Sequence, residues 1–356
     1  MEHLIRRRET RPVFVGSVQV GGNAPIVVQS MTTTDTRDVR STVDQIRRLE
    51  EAGCEIVRVA VPDKEAAGRL RAIKKSISLP LIADIHFNHR LALEAIRQGA
   101  DGIRINPGNI HPRQIREIVG AAKAEGTAIR VGINAGSLEK DLHEKYGGPT
   151  ASALAESALR NVALLEDMDF SAMKISVKSS DVKTMIDSYR AIADKTSFPL
   201  HLGVTEAGTL VNAAVKSSIG IGALLLEGIG DTIRVSVTGD PVSEVSLAFG
   251  ILRALNIRKV GPDIVSCPTC GRCEIDLAGL AAKLEERLAG MKPYLKIALM
   301  GCVVNGPGEA AEADVGIAGG RGAGLLFRKG AVLRKIKEEE FIPALLAEIE
   351  SMLQDR

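Results

Sequence analysis

Four of the five cysteines in this 356-residue chain lie in two short stretches of its C-terminal part. Cys267, Cys270 and Cys273 follow one another at two-residue intervals, and Cys302 comes later. Such spacing lets one loop wrap several thiolates around a single metal centre. A CxxC pair with a distant second arm suits tetrahedral zinc, whereas CxxCxxC with a proline after its first cysteine is typical of iron-sulfur binding. An iron-sulfur cluster, a structural zinc site and unliganded thiols are therefore the three interpretations.

A carboxylate stands close to the fourth cysteine. Gly306-Pro307-Gly308 predicts a tight turn that would bring Glu309 beside Cys302. A carboxylate ligand exchanges more readily than a thiolate, so three cysteines and a glutamate would leave one iron open to a substrate. The simpler alternative is that Glu309 is a solvated acid of the loop.

A second set of candidate residues interrupts apolar, strand-like runs. The five cations of this set are Arg58, Arg104, Arg130, Lys174 and Arg234. Each one alone could extend outward beside a helix. Five cations held inside a barrel would repel one another and resist desolvation by several kcal/mol per ion. The pattern therefore predicts a bound polyanion, and a small diphosphate matches guanidinium geometry.

Polar residues share a face with these cations or stand near them. Side chains two positions apart on a strand point to the same side, which extends the face to Asn106, Asn134, Ser176, Lys178 and Ser236, and pairs Asp84 with His86. The residues predicted to contact hydroxyl groups or to transfer protons are Asp84, His86, Asn106, Asn134, His201 and Glu206. The alternative for the two histidines is an ordinary core position.

Eight short apolar runs alternate with segments of helical periodicity, which predicts an α/β fold with an N-terminal (β/α)8 TIM-type barrel over residues 1–259. The runs are 26–30, 56–60, 81–85, 102–105, 129–133, 173–177, 200–204 and 232–237. Val13 to Val20 alternates and predicts a hairpin that turns at Gly21-Gly22-Asn23. Ala223 to Leu226 is assigned to the helix before the last strand.

The order of apolar runs and helical segments changes in the remaining residues, 260–356. This pattern predicts a smaller α+β domain that carries the cysteines. The predicted elements are a helix over 276–288, a strand over 295–300 that leads to Cys302, a hairpin of 313–318 with 324–328, and a last helix with one apolar stripe.

Composition excludes several classes of protein. The net charge is +2, tryptophan is absent and aromatic residues make up 3%, so a nucleic-acid partner is not expected. The sequence shows neither a signal-peptide apolar core nor a run of about 20 apolar residues, so we expect a cytoplasmic protein outside the membrane. Clustered cysteines in a cytosolic chain favour a metal over disulfides.

Eight ordered motifs resemble the bacterial 4-hydroxy-3-methylbut-2-en-1-yl diphosphate synthases. They are VQSMT (28–32), ADIHF (83–87), RINPG (104–108), VGINAGS (131–137), LHLGVTEAG (200–208), EGIGDTIR (227–234), SCPTCGR (266–272) and GCVVNGPGE (301–309). The resemblance runs from about residue 10 to past residue 320.

The resemblance implies a reductive opening of 2-C-methyl-D-erythritol 2,4-cyclodiphosphate, with loss of water and with electrons passed singly through a 4Fe-4S cluster. It implies flavodoxin or ferredoxin as the electron donor, and a homodimer in which the cluster domain of one subunit caps the barrel of the other. The sequence is similar to the short form of the family, because the segment between Arg234 and Cys267 is too short to hold an extra domain.

Residue by residue, the resemblance implies a cluster held by Cys267, Cys270, Cys302 and Glu309, with Cys273 as a departure from the family motif. The residues implied to clamp the diphosphate are Arg58, Arg104, Arg130 and Lys174 or Lys178. Those implied around the ring are Asp84, His86, Asn106, Asn134, Glu206 and Asn305.

Two other functions compete with this one. A barrel aldolase or transferase would use Lys174 as a Schiff-base amine and would carry a structural zinc domain. An iron-sulfur carrier or sensor would need four cysteine ligands and would have no use for a ring of cations.

Overall fold

The computed structural model describes residues 5–85, 88–302 and 311–355. The chain divides into two compact units, Met1–Arg258 and Lys259–Arg356. His86, Asn305 and Glu309 lie outside the described residues, so the roles expected for them remain sequence-based.

The first unit begins with an antiparallel hairpin of β1 (Val13–Val15) and β2 (Val18–Val20). The hairpin turns at Gly16 and Ser17 rather than at Gly21 to Asn23, where a separate turn follows β2. A two-residue loop does not interrupt the alternation of apolar and polar residues along the two strands, so the sequence pattern gives no sign of the turn. Gly16 has φ +56°, a left-handed conformation that favours glycine. The buried valines of the hairpin pack on Val27, Ile56, Ile82 and Ala128.

Eight parallel strands form the barrel, as predicted. They are β3 (Val27–Met31), β4 (Ile56–Ala60), β5 (Leu81–Asp84), β6 (Gly102–Ile105), β7 (Ala128–Asn134), β8 (Met173–Lys178), β9 (His201–Leu202) and β10 (Thr232–Ile233). Hydrogen bonds join them in the order β8-β7-β6-β5-β4-β3-β10-β9. A parallel bridge between Ile175 and Leu200 joins the two ends of this order, which closes the ring.

Helices accompany the barrel strands. They are α1 (Val39–Glu51), α2 (Lys64–Lys75), α3 (His89–Arg97), α4 (Pro112–Glu125), α5 (Lys140–Tyr146), α6 (Ala151–Glu166), α7 (Val182–Ala193), α8 (Leu210–Leu226) and α9 (Val242–Ala254). Side chains cap several of them, and Asp38 of α1 and Asp63 of α2 each accept a hydrogen bond from a first-turn backbone N–H. Ala223 to Leu226 lies in α8, as predicted.

The second unit is a five-stranded sheet with two helices. Its elements are β11 (Pro262–Ser266), α10 (Leu277–Arg287), β12 (Leu295–Met300), β13 (Val315–Gly320), β14 (Ala323–Arg328), β15 (Ala331–Lys337) and α11 (Phe341–Gln354). The strands follow chain order; the first three are parallel and the last two antiparallel. The predicted helix, strand, hairpin and last helix are confirmed.

The edge strands β11 and β15 were not predicted. Both lack a buried alternating face, and six of the seven residues of β15 are exposed. A search of the described residues finds no helix long and apolar enough to span a bilayer.

The hairpin offers a test of the packing at its end of the barrel. Val15 is fully buried, whereas its neighbour Phe14 is 55% exposed. We expect Val15→Ala to lower the free energy of unfolding by about 2 kcal/mol, because it removes buried methyl groups and leaves a cavity. Phe14→Ala is the control and should change it by less than about 0.5 kcal/mol. Urea denaturation followed by circular dichroism measures both, and equal losses would contradict this packing.

Candidate functional site

Four neighbouring strands present a row of charged side chains inside the barrel. In the strand register Asp84 is paired with Arg104, Arg104 with Arg130, and Arg130 with Lys174. Partners in register point to the same side of a parallel sheet, and all four residues are buried. Arg58 on β4 is also buried. These cations of the sequence pattern therefore lie inside the barrel rather than extending outward.

Asp84 is the carboxylate that two of these cations share. Its Oδ2 lies 3.7 Å from Arg58 Nε, and its Oδ1 lies 3.5 Å from Arg104 Nη1. Arg58 Nε also donates to Met31 Sδ at 3.1 Å. Burial nevertheless lowers the pKa of Arg58 to about 10, with Asp84 opposing the shift. One carboxylate thus only partly offsets the charge around it.

A second group of contacts fixes Arg104. Its Nη2 donates to the Gly132 carbonyl at 3.2 Å, and with the Asn134 amide turned to accept, to Asn134 Oδ1 at 2.8 Å. A Cβ on Gly132 would lie 2.3 Å from Arg104 Nε. Glycine is therefore needed on β7 for the arginine to lie flat across the strand.

Three residues of the predicted site have buried side-chain nitrogens with no hydrogen-bond partner among the described residues. These nitrogens are Arg130 Nε and Nη1, Lys174 Nζ and His201 Nε2. Burial, reinforced by Arg130 and Arg58, lowers the pKa of Lys174 to about 7. Burial and neighbouring cations also hold the pKa of Arg130 and of His201 well below their ordinary values. The arrangement is one that an anion would stabilise.

Two further polar residues of the prediction are buried on β8. Lys178 lies opposite Asn134, and burial together with Arg234 lowers its pKa well below the ordinary value. Ser176 Oγ lies 3.5 Å from the Val131 carbonyl. His201 on β9 forms a 2.6 Å hydrogen bond between Nδ1 and Thr232 Oγ1.

Arg234 differs from the other cations because it has a full counterion. Its Nε and Nη2 donate to Glu244 at 3.1 and 2.8 Å, and its Nη1 donates to Ser236 Oγ at 2.7 Å. Glu244 also accepts from Ser30 Oγ at 2.8 Å. Glu244 was missed from the sequence, where the available signal was an acid in the first turn of an otherwise apolar helix, α9.

The remaining predicted residues of the barrel lie at strand ends. Asn106 is buried directly after β6. Glu206 follows β9, is exposed and has φ +52°, which is uncommon for a residue other than glycine.

In the second unit, two adjacent parallel strands bring cysteines to one edge of the sheet. Ser266 of β11 lies opposite Leu299 of β12, so Cys267 and Cys302 both follow strand ends on the same side. The Gly301 N–H donates to Cys267 Sγ at 3.3 Å, which brings the two stretches into contact. Cys270 is exposed, and a backbone hydrogen bond involving Arg272 lowers its pKa.

The cysteines fit a thiolate-bound metal centre in their chemistry and topology. Within the described ranges no three His, Cys, Asp or Glu side chains already converge as ligands of one ion. Nevertheless, the loop after β11, which carries Cys267 and Cys270, and the segment after β12, which carries Cys302, begin at the same edge of one sheet. All the described cysteines are free thiols. An N–H directed at a cysteine sulfur is also a typical outer contact of cluster ligands.

The buried amine of Lys174 predicts a pH-dependent stability. Its pKa is about 7 in the folded protein and 10.5 in its ordinary state, so the unfolded chain binds more protons between these values. Stability from this group therefore rises with pH over that window and is lowest near or below pH 7. Lys174→Met should stabilise the ligand-free protein by about 3 kcal/mol at pH 8 and flatten the pH dependence above pH 7. Urea unfolding from pH 7 to 10 measures this, and a variant with the same pH profile as the parent would contradict it.

Family models match both units of the chain. The family model described as the GcpE TIM-barrel domain matches residues 10–249, and the GcpE protein C-terminal domain matches residues 263–351. Among solved structures, dihydropteroate synthase from Stenotrophomonas maltophilia gives a TM-score of 0.49 at 15% identity over 65% of this chain and 93% of its own.

Curated relatives match over nearly the whole chain. A protein of Maridesulfovibrio salexigens is 57% identical over 99% of this chain and 99% of its own length. A protein of Geobacter sulfurreducens is 56% identical over 98% of this chain and 99% of its own length. Both are named 4-hydroxy-3-methylbut-2-en-1-yl diphosphate synthase (flavodoxin). The chain belongs to the GcpE family.

Proposed function

We propose that this protein converts 2-C-methyl-D-erythritol 2,4-cyclodiphosphate into 4-hydroxy-3-methylbut-2-enyl diphosphate, the reaction of the synthase for which its relatives are named. Two electrons and two protons enter, the ring opens and one water leaves. The observation that carries the proposal is the buried in-register row of Arg104, Arg130 and Lys174, in which Arg130 and Lys174 keep nitrogens without a hydrogen-bond partner among the described residues. Such a row suits a small substrate that brings several negative charges.

The diphosphate is bound by the cations that lack a full counterion. Arg130 and Lys174 have unpaired nitrogens among the described residues, and Arg58 shares Asp84 with Arg104. A guanidinium fork can donate two parallel hydrogen bonds to phosphate oxygens, whereas an ammonium acts as a point charge. Lys178 contributes in the same way. Arg234 has a supporting role, because Glu244 already neutralises it.

The rest of the substrate contacts uncharged groups and carboxylates. Ser176, Asn106 and Asn134 offer hydroxyl and amide contacts, and His201 does so as a neutral ring because its pKa is depressed. Asp84 lies between two guanidinium groups and is suited to accept hydrogen bonds from substrate hydroxyls.

Proton transfer is assigned to acidic and imidazole groups near the barrel mouth. Glu206 lies on the stretch that follows β9 and is exposed, so it can exchange protons with solvent. His86 and Glu309 are assigned with it on the resemblance alone, and Asn305 is assigned on the same ground as a contact of the substrate hydroxyls.

The cofactor of the proposed reaction is a 4Fe-4S cluster held by Cys267, Cys270, Cys302 and Glu309. When bound, it supplies electrons one at a time. The support in this chain is the pairing of β11 with β12, which brings Cys267 and Cys302 to one edge of the sheet. The relatives' names favour flavodoxin as the donor and favour this reaction over a Schiff-base aldolase.

The protein is further proposed to be a homodimer in which the cluster domain of one subunit caps the barrel of the other. The support comes from α8, where Val211, Val215 and Ile219 follow one another at four-residue intervals and are each more than half exposed. Residues four apart lie on one face of a helix, so these side chains form an apolar stripe. A stripe of this kind is typical of a protein interface.

Removing one cation tests the function. In anaerobically reconstituted protein with reduced flavodoxin, Arg130→Met should lower turnover of the cyclodiphosphate by at least about 100-fold. The reason is that the substrate phosphate loses the hydrogen-bond donors of a buried guanidinium group. Arg113→Met is the control, since that arginine is 86% exposed, and it should keep parental turnover. Turnover of Arg130→Met at the parental rate would contradict the proposed clamp, and no turnover by the parent protein would contradict the function.

The dimer is tested by charging the stripe. Val215→Glu combined with Ile219→Glu should shift the sedimenting species from dimer to monomer, because two carboxylates would be buried at the interface. Val332→Glu is the control, because Val332 is 57% exposed on the strand β15 of the second unit. A dimer unchanged by the α8 double variant would place the interface elsewhere.

A further inference from the structure

The edge strand β15 of the second unit presents both cations and apolar side chains to solvent. Six of its seven residues are exposed, among them Val332 and Leu333, which are 57% and 47% exposed. Residues 315–337, which cover the last three strands of the sheet, contain no acid and six cations. These cations are Arg321, Arg328, Lys329, Arg334, Lys335 and Lys337.

Acids from outside this segment offset only part of its charge. Arg328 is paired with Glu348 and Asp355 at 3.2 and 3.3 Å. Lys337 lies 3.7 Å from Glu339, but both side chains are about three-quarters exposed, and an exposed pair of this kind contributes little. The edge of the sheet at β15 therefore carries a net positive charge.

Protection of the edge explains only half of this composition. Charged side chains on an edge strand keep it from pairing with the edge of another sheet. Exposed apolar side chains beside them have the opposite effect, and Leu333 lies at a bulge, between the pairs that Arg334 and Val332 form with β14. Apolar side chains bordered by charges are typical of a surface that binds another protein.

The register of the sheet connects this edge with the cysteines. One row of partners crosses four strands: Met300, Ala318, Leu325 and Lys335. Partners in register point to the same side of a sheet. Met300 and Ala318 belong to a small buried cluster against which Cys267 packs. Lys335 therefore points to the side of the sheet on which this cluster lies, whereas its neighbour Ile336 is buried on the other side among residues of α10 and α11.

Lys337 lies at the end of the sheet where the cysteine segments begin. It pairs with Ala323, which pairs with Gly320. Gly320 is two residues beyond the partner of Met300, just as Cys302 is two residues beyond Met300 itself. The three strand intervals from β12 to β15 measure about 14 Å. A weak electron-transfer complex buries less than about 1,200 Å² in total, so its footprint on one partner is about 28 Å across. A protein centred on β15 would thus reach the segment after β12.

From this arrangement we infer that the side of β15 that carries Val332, Lys335 and Lys337 is the docking surface of the electron-donor protein, whose own contacting surface is acidic. The inference rests on the proposed function, in which the donor delivers electrons to this unit. Opposite charges speed the encounter and orient the partner, whereas two copies of this strand would bring like charges together. Charge therefore favours an acidic donor over a second copy of the chain.

Reversing one charge tests the docking surface. Lys335→Glu should raise the KM for reduced flavodoxin at least about tenfold at low ionic strength and leave kcat at saturating flavodoxin unchanged, because it weakens the encounter. Turnover driven by reduced methyl viologen should stay at the parental rate, because a small reductant needs no docking surface. Lys283→Glu is the matched control, since Lys283 is an exposed cation on α10, which covers the other side of the sheet, and it should keep the parental KM.

Ionic strength and a conservative variant sharpen the comparison. Salt screens exposed charges, so the parental KM for flavodoxin should rise with ionic strength, and the KM of Lys335→Glu should rise less. Lys335→Arg keeps the charge and should keep the parental KM.

The outcomes separate the docking surface from the proposed function. An unchanged KM for flavodoxin in Lys335→Glu would overturn the docking surface, while turnover of the parent with methyl viologen would leave the function in place. An equal loss of turnover with both reductants would also overturn it, because the damage would then lie outside donor binding. A change from dimer to monomer in Lys335→Glu would assign β15 to contact between copies instead. A parent protein inactive with both reductants would overturn the proposed function.

Discussion

Like charges buried together inside the barrel are the constraint on which the rest of the site depends. Arg58, Arg104, Arg130 and Lys174 are all buried, and taking ions out of water costs several kcal/mol each unless other groups compensate. Asp84 provides part of that compensation through its contacts with two arginines. The closed ring of hydrogen-bonded strands fixes the positions of side chains that would otherwise move apart.

Several features of the first unit serve this constraint. Gly132 leaves space that a larger residue would take from Arg104. Glu244 reaches from α9 to hold Arg234 and Ser30, so one cation is neutralised by the scaffold itself. The depressed pKa of Lys174 shows the remaining imbalance, since a buried amine among arginines binds its proton less tightly. The buried cations thus lower the stability of the ligand-free protein, which is a cost common at functional sites.

The sequence was informative where a side chain broke a strong local pattern. Apolar runs that alternate with helical segments predicted the barrel strands, and the cations within those runs predicted which face points inward, because side chains alternate between two faces of a strand. Glu244 was missed because its partner Arg234 comes from another element, and helical periodicity does not reveal such a pairing. The turn at Gly16 was missed because its two-residue loop does not interrupt the alternation of apolar residues. The edge strands β11 and β15 were missed because neither has a buried face that would give an alternating apolar pattern.

The pairing of β11 with β12 has a consequence for the order of events during synthesis. Cys267 and Cys302 become neighbours only when β11 and β12, which are connected through α10, have paired. Parallel pairing across such a connection is non-local and therefore slow compared with helix formation. The newly made chain thus passes through a period in which its thiols are reduced, separated and accessible to oxidants. Assembly of the proposed cluster would therefore have to be coordinated with folding of this small sheet.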